Sequence, residues 1–231
     1  MTTAAALVVL AAGAGQRFVD AGWTVPKPLI RFRGHTLMAH TLRMILRGAG
    51  DILGPRIVVT TPACVDHVPR DFTTVVVEHT RPGPTASAAL ALGLISPENP
   101  VVFFDCDNIY TTEPADLFSK FLLGANFLVG AQLATPSTDY CAIRAAHNGF
   151  VIDLQEKSDK FNLVATGIYG FRTAQVFHEC YCRAATRGLY AMSDLLMDES
   201  ETASVVALPT GSWYAAGTPT QLAAAELGVP K

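Results

Sequence analysis

Two glycines, two cations and two carboxylates carry the chemistry that can be read in this sequence. Gly13 and Gly15 stand in Leu10-Ala11-Ala12-Gly13-Ala14-Gly15-Gln16-Arg17-Phe18, directly after an apolar run. Backbone without side chains lets N–H groups converge on an anion, as in other glycine-rich cradles. Arg17 follows inside the loop, and Lys27 stands between Pro26 and Pro28, whose rings stiffen the local backbone. Two fixed cations beside a glycine turn suit a triphosphate. The pattern is not a dinucleotide fingerprint, because Phe18 occupies the third glycine position of GxGxxG and no helix-forming run follows at once. Nor is it a Walker A loop, since Gly-Lys-Ser/Thr is missing.

The carboxylates are Asp105 and Asp107, two positions apart in Val101-Val102-Phe103-Phe104-Asp105-Cys106-Asp107-Asn108-Ile109-Tyr110. They close an apolar run that reads as a buried strand, and ligands of open α/β sheets bind at such C-terminal strand ends. Mg²⁺ prefers carboxylate oxygen and, when bound to phosphates, normally takes only one or two such groups. The ordinary alternative for Asp105 is a cap on the following loop.

These residues need elements to hold them. The apolar run Ala4–Ala12 predicts a buried strand that delivers the glycine loop. Similar runs at Ile57–Thr60, Thr73–Val77, Val101–Phe104, Phe127–Gly130 and Ala165–Phe171 predict further strands. Between them, Met38, Leu42, Ile45 and Leu46 follow helical spacing after a Thr36 cap. Strands alternating with helices predict an α/β fold with a sheet covered on both faces. From about Ala131 to Glu156 the pattern changes to short alternating strands with an Asn148-Gly149 hairpin turn, which predicts an antiparallel insert forming one wall of a cleft. Gly217-Thr218-Pro219 places an N-cap before a first-turn proline and predicts a helix to Leu227. The expected architecture is one three-layer αβα domain over residues 1–231 with a mixed, mostly parallel sheet.

Composition narrows the function. The chain has 231 residues, half of them hydrophobic, with 17 basic and 20 acidic side chains giving a net charge of −3. That balance, with a pI near 6.0, gives no bulk attraction to nucleic acid or anionic lipid, so an acidic ligand needs a local basic pocket. The five cysteines form no CxxC pair and predict buried free thiols. The six histidines show neither HxH nor HExxH spacing. Ser193-Asp194 reads as helix-start chemistry rather than part of a hydrolase triad. Tyr169, Phe171, Phe103 and Phe104 read as core. No run reaches the ~18 apolar residues of a membrane span, and the N-terminus lacks a basic leader region, so the expectation is a soluble, cytoplasmic protein.

Together, Leu-Ala-Ala-Gly-x-Gly-x-Arg-Phe and Pro-Lys-Pro-Leu resemble the signature of the sugar-1-phosphate nucleotidylyltransferases. The resemblance spans roughly residues 6–228 and implies a single αβα domain related to the GT-A glycosyltransferases, the nucleotide-diphospho-sugar transferase architecture. It implies that Leu10, Ala11, Ala12, Gly13, Ala14 and Gly15 hold a nucleoside triphosphate, while Arg17 and Lys27 neutralise its phosphates as pyrophosphate leaves. Asp107-Asn108-Ile109-Tyr110 is similar to the family's Gly-Asp-Asn-hydrophobic-aromatic motif, which makes Asp107 the primary Mg²⁺ ligand, with Asp105 in support and Mn²⁺ as a substitute ion. Gln155-Glu156-Lys157 and Asn162-Leu163-Val164-Ala165-Thr166-Gly167-Ile168-Tyr169 are similar to Glu-Lys-Pro and Asn-x-x-x-Thr-Gly-x-Tyr. By that match Glu156 accepts sugar hydroxyls, Lys157 holds the sugar phosphate, and Asn162, Thr166 and Gly167 belong to the acceptor pocket. Arg81-Pro82-Gly83-Pro84-Thr85-Ala86 falls where the family has a loop and helix start beside the base, with Thr85 as N-cap and Thr85 and Ala86 at the nucleotide. The implied partners are a nucleoside triphosphate and a phosphorylated small-molecule acceptor, in nucleotide-sugar and polysaccharide biosynthesis, for a monomer or small homo-oligomer.

Several positions depart from the family. Its late Trp-x-Asp-x-Gly-Thr reads Trp213-Tyr214-Ala215-Ala216-Gly217-Thr218, so a metal-binding carboxylate is replaced by Ala215. Ser158 stands for the proline after Glu-Lys, Tyr140-Cys141 for Tyr-Gly, and no Gln precedes Thr85 to read a pyrimidine edge. Either the metal site is rebuilt around Asp105 and Asp107, or activity is reduced. Two alternatives follow. Ala215 suits a non-catalytic nucleotide-binding homologue, and Asp105-Cys106-Asp107 resembles the DxD motif of GT-A glycosyltransferases, although a diphosphate donor has less need of Arg17 and Lys27.

Overall fold

Strand β1 (Ala6–Ala11) is buried at every residue, as expected of a strand covered on both faces. The computed structural model describes residues 5–48, 54–78, 82–111, 124–200, 205–210 and 213–229. Parallel to β1 on one side run β4 (Arg56–Thr60) and then β5 (Thr73–Val76); on the other side runs β6 (Val101–Asp105). Beyond β6 the sheet turns antiparallel through β11 (Leu163–Phe171), which pairs with β6, β8 (Asn126–Gln132) and β9 (Ala142–Ala145). The hairpin partner β10 (Val151–Gln155) closes that edge, and β12 (Val205–Pro209) lies parallel to β8. Among the described residues the main sheet has nine strands. Its mixed pairing and its helices on both faces agree with the expected αβα fold class.

Alternation along the strands divides the core. Val8, Leu10 and Phe103 face helices α4 (Ala174–Thr186) and α5 (Met192–Ser200), packing with Phe177, Leu195 and Leu196. Leu7, Val9, Val102 and Phe104 face α2 (Leu37–Gly48), packing with Met38, Leu42 and Ile45. Thr36 ends the short hairpin of β2 (Arg31–Phe32) and β3 (His35–Thr36) and its Oγ1 accepts from Ala39 N at 3.1 Å, as the expected cap of α2 requires. A third cluster joins Phe18, Ile30 and Phe32 to Ile109, Ala216 and Leu222, tying the glycine-loop region to the C-terminal helix.

Register positions the site. In the parallel β1/β6 pair Leu10 stands opposite Asp105, so the glycine loop leaves the sheet at the level of the acid pair. In the antiparallel β11/β6 pair Ile168 stands opposite Phe104, which brings Gly167 beside Asp105. The short β7 (Asn108–Tyr110) pairs with β13 (Trp213–Ala215), Ala215 opposite Asn108.

Several local expectations change. The first strand begins at Ala6, with Ala4 outside the described residues. A short helix α1 (Gln16–Asp20) does follow the glycines at once, with Gly15 as its N-cap at φ +64°. A left-handed N-cap costs glycine little, and that turn chemistry substitutes for weak helix propensity. Thr85 is not the cap of α3 (Pro84–Ala88): Gly83 is, because Pro84 pre-sets the first-turn φ and moves the start two residues earlier. Arg81 and His79 lie outside the described residues. Four cysteines are buried and free as expected, but Cys182 is exposed. The Asn148-Gly149 turn forms, with Gly149 at φ +85°, and α6 (Pro219–Gly228) starts from Thr218, whose Oγ1 accepts from Gln221 N at 3.1 Å. No helix among the described residues is long and apolar enough to cross a membrane.

Candidate active site

Two clefts open at the C-terminal edge of the parallel strands, and both are lined by Asp105 and Asp107. The larger, of about 390 Å³, is walled by Leu10, Ala12, Gly13, Ala14, Gly15, Lys27 and Pro28 on one side and by Gly83, Pro84 and Ser87 on the other. Around Gly13 a Cβ would meet nothing within 4 Å, so the loop backbone faces open space where a ligand can approach. Gly15 is different: a Cβ there would lie 2.8 Å from Lys27 Cβ. The left-handed turn therefore lets the Pro26-Lys27-Pro28 segment close over the loop.

Lys27 Nζ donates to Asp107 Oδ2 at 2.5 Å, with about a fifth of each side chain exposed (20% and 21%). Burial pulls the ammonium pKa down, but Asp107, Cys106 and Asp105 outweigh it, so the pKa is raised and Lys27 stays charged. The other Asp107 oxygen, Oδ1, accepts from Asn108 Nδ2 at 3.2 Å. Asn108 is itself held by Trp213, whose indole N–H donates to Asn108 Oδ1 at 2.8 Å. The backbone carbonyl of Asp107 accepts from Ala216 N at 2.8 Å. Asp107 is thus fixed from Lys27, from β7 and from the strand carrying Trp213.

Asp105 stands in contrast. Burial first, then the charge of Asp107, push its carboxyl up to about 8, Lys27 opposing and Glu156 adding to the rise. Buried and beside Asp107, Asp105 keeps its proton near neutral pH, and losing it would leave more negative charge here than Lys27 offsets. That charge excess, offered by hard oxygens at the junction of both clefts, fits a divalent cation such as Mg²⁺. Among the described residues no group of three or more His, Cys, Asp and Glu gathers around it. Ala215, opposite Asn108, brings a methyl group to the position where a carboxylate was expected.

The second cleft, of about 170 Å³, is walled by Arg17, Asp139, Tyr140, Cys141, Glu156, Thr166, Gly167, Tyr169, Trp213, Ala215, Gly217 and Gln221 besides the acid pair. Gly167 sits at φ +86° in the β11 irregularity, and a Cβ there would come within 2.4 Å of Asn108 Nδ2 and 2.9 Å of Asp105 Oδ2. Thr166 is locked, its Oγ1 donating to Val129 O at 3.0 Å while the Tyr110 hydroxyl donates to its carbonyl. Tyr140 and Trp213 meet edge to face at 5.3 Å, and Gln221 Nε2 donates to Tyr140 Oη at 2.9 Å. Glu156 Oε2 accepts from Ser193 Oγ at 2.8 Å.

The structure brings Leu10, Ala12, Gly13, Ala14, Gly15, Lys27, Asp105 and Asp107 together in one cleft, and Glu156, Thr166 and Gly167 in the other. Arg17 lies in the wall of the second cleft rather than beside Lys27 in the first. Ala11 is buried within β1. Thr85 and Ala86 are buried behind the first cleft, whose wall at that point is Gly83, Pro84 and Ser87. Asn162 Nδ2 donates to Leu133 O at 3.4 Å and is outside the second cleft's wall, as is Lys157, which turns the chain after β10 at φ +51°. Tyr169, expected as core, is buried and also borders the second cleft. Asp139, Tyr140, Trp213, Gly217, Gln221 and Ser193 were missed as site residues. Trp213, Gly217 and Tyr140 stood in motif segments and Ser193 in a helix-start pattern, whereas Asp139 and Gln221 carry no local signal because distant segments deliver them. Helix-start chemistry at Ser193-Asp194 is half right: Asp194 Oδ2 accepts from Ala191 N at 3.0 Å, while the serine hydroxyl goes to Glu156.

The sequence matches the MobA-like NTP transferase domain over residues 7–129, more than half of the chain. The chain belongs to that family. The matched stretch holds the glycine loop, Lys27 and both aspartates, whereas most of the second cleft lies beyond it. Solved structures agree in fold. A Bacillus anthracis protein assigned as a glucose-1-phosphate thymidylyltransferase, in complex with sucrose, superposes with a TM-score of 0.83 at 18% identity, covering 99% of this chain and 97% of that one. A UDP-glucose pyrophosphorylase complexed with UDP-glucose gives 0.80 at 16% identity over 96% and 97%. The nucleoside-diphosphate-sugar pyrophosphorylase of Vibrio cholerae RC9 gives 0.76 at 17% over 94% and 98%. No curated protein sequence matches.

Proposed function

We propose that this protein transfers a nucleotidyl group from a nucleoside triphosphate to a sugar phosphate or similar phosphorylated acceptor, releasing pyrophosphate. The carrying observation is that a glycine-loop cleft and a polar cleft share Asp105 and Asp107, so ligands in the two would meet at the acid pair. Leu10 and Ala12 to Gly15 cradle the triphosphate, and Lys27 neutralises charge developing toward the departing pyrophosphate. Arg17, in the wall of the second cleft, faces the acceptor phosphate. Glu156 accepts acceptor hydroxyls, with Thr166 and Gly167 forming the floor. A phosphate anion is already a competent nucleophile, so the residues need only position it and stabilise charge. Asp107 and Asp105 would hold Mg²⁺, or Mn²⁺, which supplies charge neutralisation on the phosphates. The setting is the cytoplasm, in the supply of nucleotide-sugars for polysaccharide biosynthesis.

The test is product analysis with ribonucleoside triphosphates and dTTP, a panel of sugar 1-phosphates and MgCl₂. Pyrophosphate and a nucleotide-sugar are expected in equal amounts. Ala215 favours one second reading, a homologue that binds nucleotide without turnover, and calorimetric binding with no pyrophosphate in either Mg²⁺ or Mn²⁺ would establish it instead.

A further inference from the structure

One short segment touches the walls of both clefts. Thr85, fully buried behind the first cleft, directs both its backbone N–H and its hydroxyl to the carbonyl of Tyr190, at 3.4 and 3.0 Å. Gly83, in the wall itself, packs on the same residue: a Cβ there would lie 2.6 Å from Tyr190 Cβ and 2.8 Å from its oxygen. Its φ is extended, so close approach rather than backbone conformation demands glycine. Three residues further on, Ser193 is 3% exposed and donates to Glu156 Oε2 at 2.8 Å. Its hydroxyl also meets the Cys141 thiol in the wall of the second cleft. The turn between them is fastened by Asp194 Oδ2, which accepts from Ala191 N at 3.0 Å. Helix α5 is held to β10 by Leu154 N, which donates to Met197 Sδ at 3.2 Å.

We infer that Tyr190–Asp194 couples the two clefts, with Ser193 as a positioning residue that fixes Glu156 and Tyr190 as the anchor of the nucleotide-side wall. The inference rests on the reading of the clefts as nucleotide and acceptor sites. A ligand pressing on Gly83–Ser87 moves the Tyr190 carbonyl, and that displacement reaches Glu156 through three residues of chain and one hydrogen bond. Nucleotide occupancy therefore sets the acceptor-binding carboxylate, and by linkage the acceptor tightens the nucleotide by the same factor. Ser193 touches no reacting atom.

Hydrogen exchange read by mass spectrometry tests this without turnover, using each ribonucleoside triphosphate and dTTP with MgCl₂ as probes. In the wild type, slowed exchange at residues 10–15 and 83–88 is expected together with slowed exchange at 190–194 and 154–158. In Thr85→Val the slowing stops at 83–88. Protection at 10–15 and 83–88 without any change at 190–194 in the wild type overturns the coupling and leaves the functional reading standing. No protection at 10–15 with any triphosphate overturns both. Kinetics supplies the second measurement: Ser193→Ala raises the KM for the sugar phosphate about tenfold, in line with losing a hydrogen bond to a charged group. The triphosphate Kd measured without acceptor stays within twofold, the acceptor no longer tightens it as in the wild type, and Ser193→Thr restores the acceptor KM. A fall in kcat with both KM values intact, or no rescue by threonine, overturns the positioning role.

Discussion

The two clefts differ in how their walls are gathered. The glycine-loop cleft draws most of its wall from residues 10–15 and 27–28, close in sequence and held against a buried parallel strand. The second cleft collects Tyr140, Glu156, Thr166, Trp213 and Gln221 from separate segments. Its side chains are fixed by bonds between distant residues, as in Trp213 to Asn108, Gln221 to Tyr140 and Ser193 to Glu156. A site made from one local stretch needs only its own turn to be right. A site made from many needs the whole sheet in register, so its geometry is more exposed to distant change and freer to vary in what it accepts.

The sharpest break of this comparison is Lys27→Ala. It removes the one cation bonded to Asp107 among the described residues and should lower pyrophosphate release by about 10²–10³ through kcat, with folding retained; a loss under tenfold in steady-state kinetics would mean that Lys27 does not face the leaving group. Next is Gly167→Ala, which asks the second cleft to hold a Cβ within 2.4 Å of Asn108 at a left-handed φ. Urea denaturation should show a loss of about 1–3 kcal/mol, and acceptor binding should weaken more than triphosphate binding. Unchanged stability would show that Asn108 can step aside and that this cleft is looser than its contacts indicate.

Thr218→Ala removes the cap of α6, the helix that carries Gln221 toward Tyr140. A loss of about 1 kcal/mol is expected, with the acceptor KM rising while the triphosphate KM holds; equal rises would erase the distinction between the clefts. The smallest effect concerns the thiols, one in each wall. Burial pushes the Cys141 thiol up to about 12 and raises Cys106 further, so each thiolate fraction at pH 8 is far below that of an ordinary cysteine. Because the shift is upward, raising the pH from 7 to 9 should leave both protonated and unreactive. Mass spectrometry after iodoacetamide treatment should find Cys182 alkylated first, and early modification of Cys141 would show a more open second cleft.

The two clefts were unequally legible. Leu10, Ala12 to Gly15, Lys27, Asp105 and Asp107, which the structure gathers in one cleft, stood out in the sequence because a buried strand, a glycine turn and a strand-end acid pair are local patterns. Misreadings near them were of turn chemistry: Gly15 starts a helix where the composition gave no sign of one, and Pro84 moved the cap of α3 from Thr85 to Gly83. In the second cleft only residues inside a recognisable motif could be placed. Lys157 and Asn162 matched motifs yet stand outside its wall, whereas Asp139 and Gln221 matched none and stand in it.

What the amino-acid order determined by itself was the alternation of buried strands and amphipathic helices, and with it the carboxyl edge on which a glycine loop and an acid pair had to lie. Hydrophobic periodicity and turn residues act over a few positions, and those features need nothing more. The tertiary structure decided that Arg17 joins the second cleft, that Ala215 takes its place opposite Asn108, and that a buried serine on α5 holds Glu156. Each depends on the register of strands far apart in the chain, and pairing energy between distant segments leaves no imprint on the spacing of residues within either one.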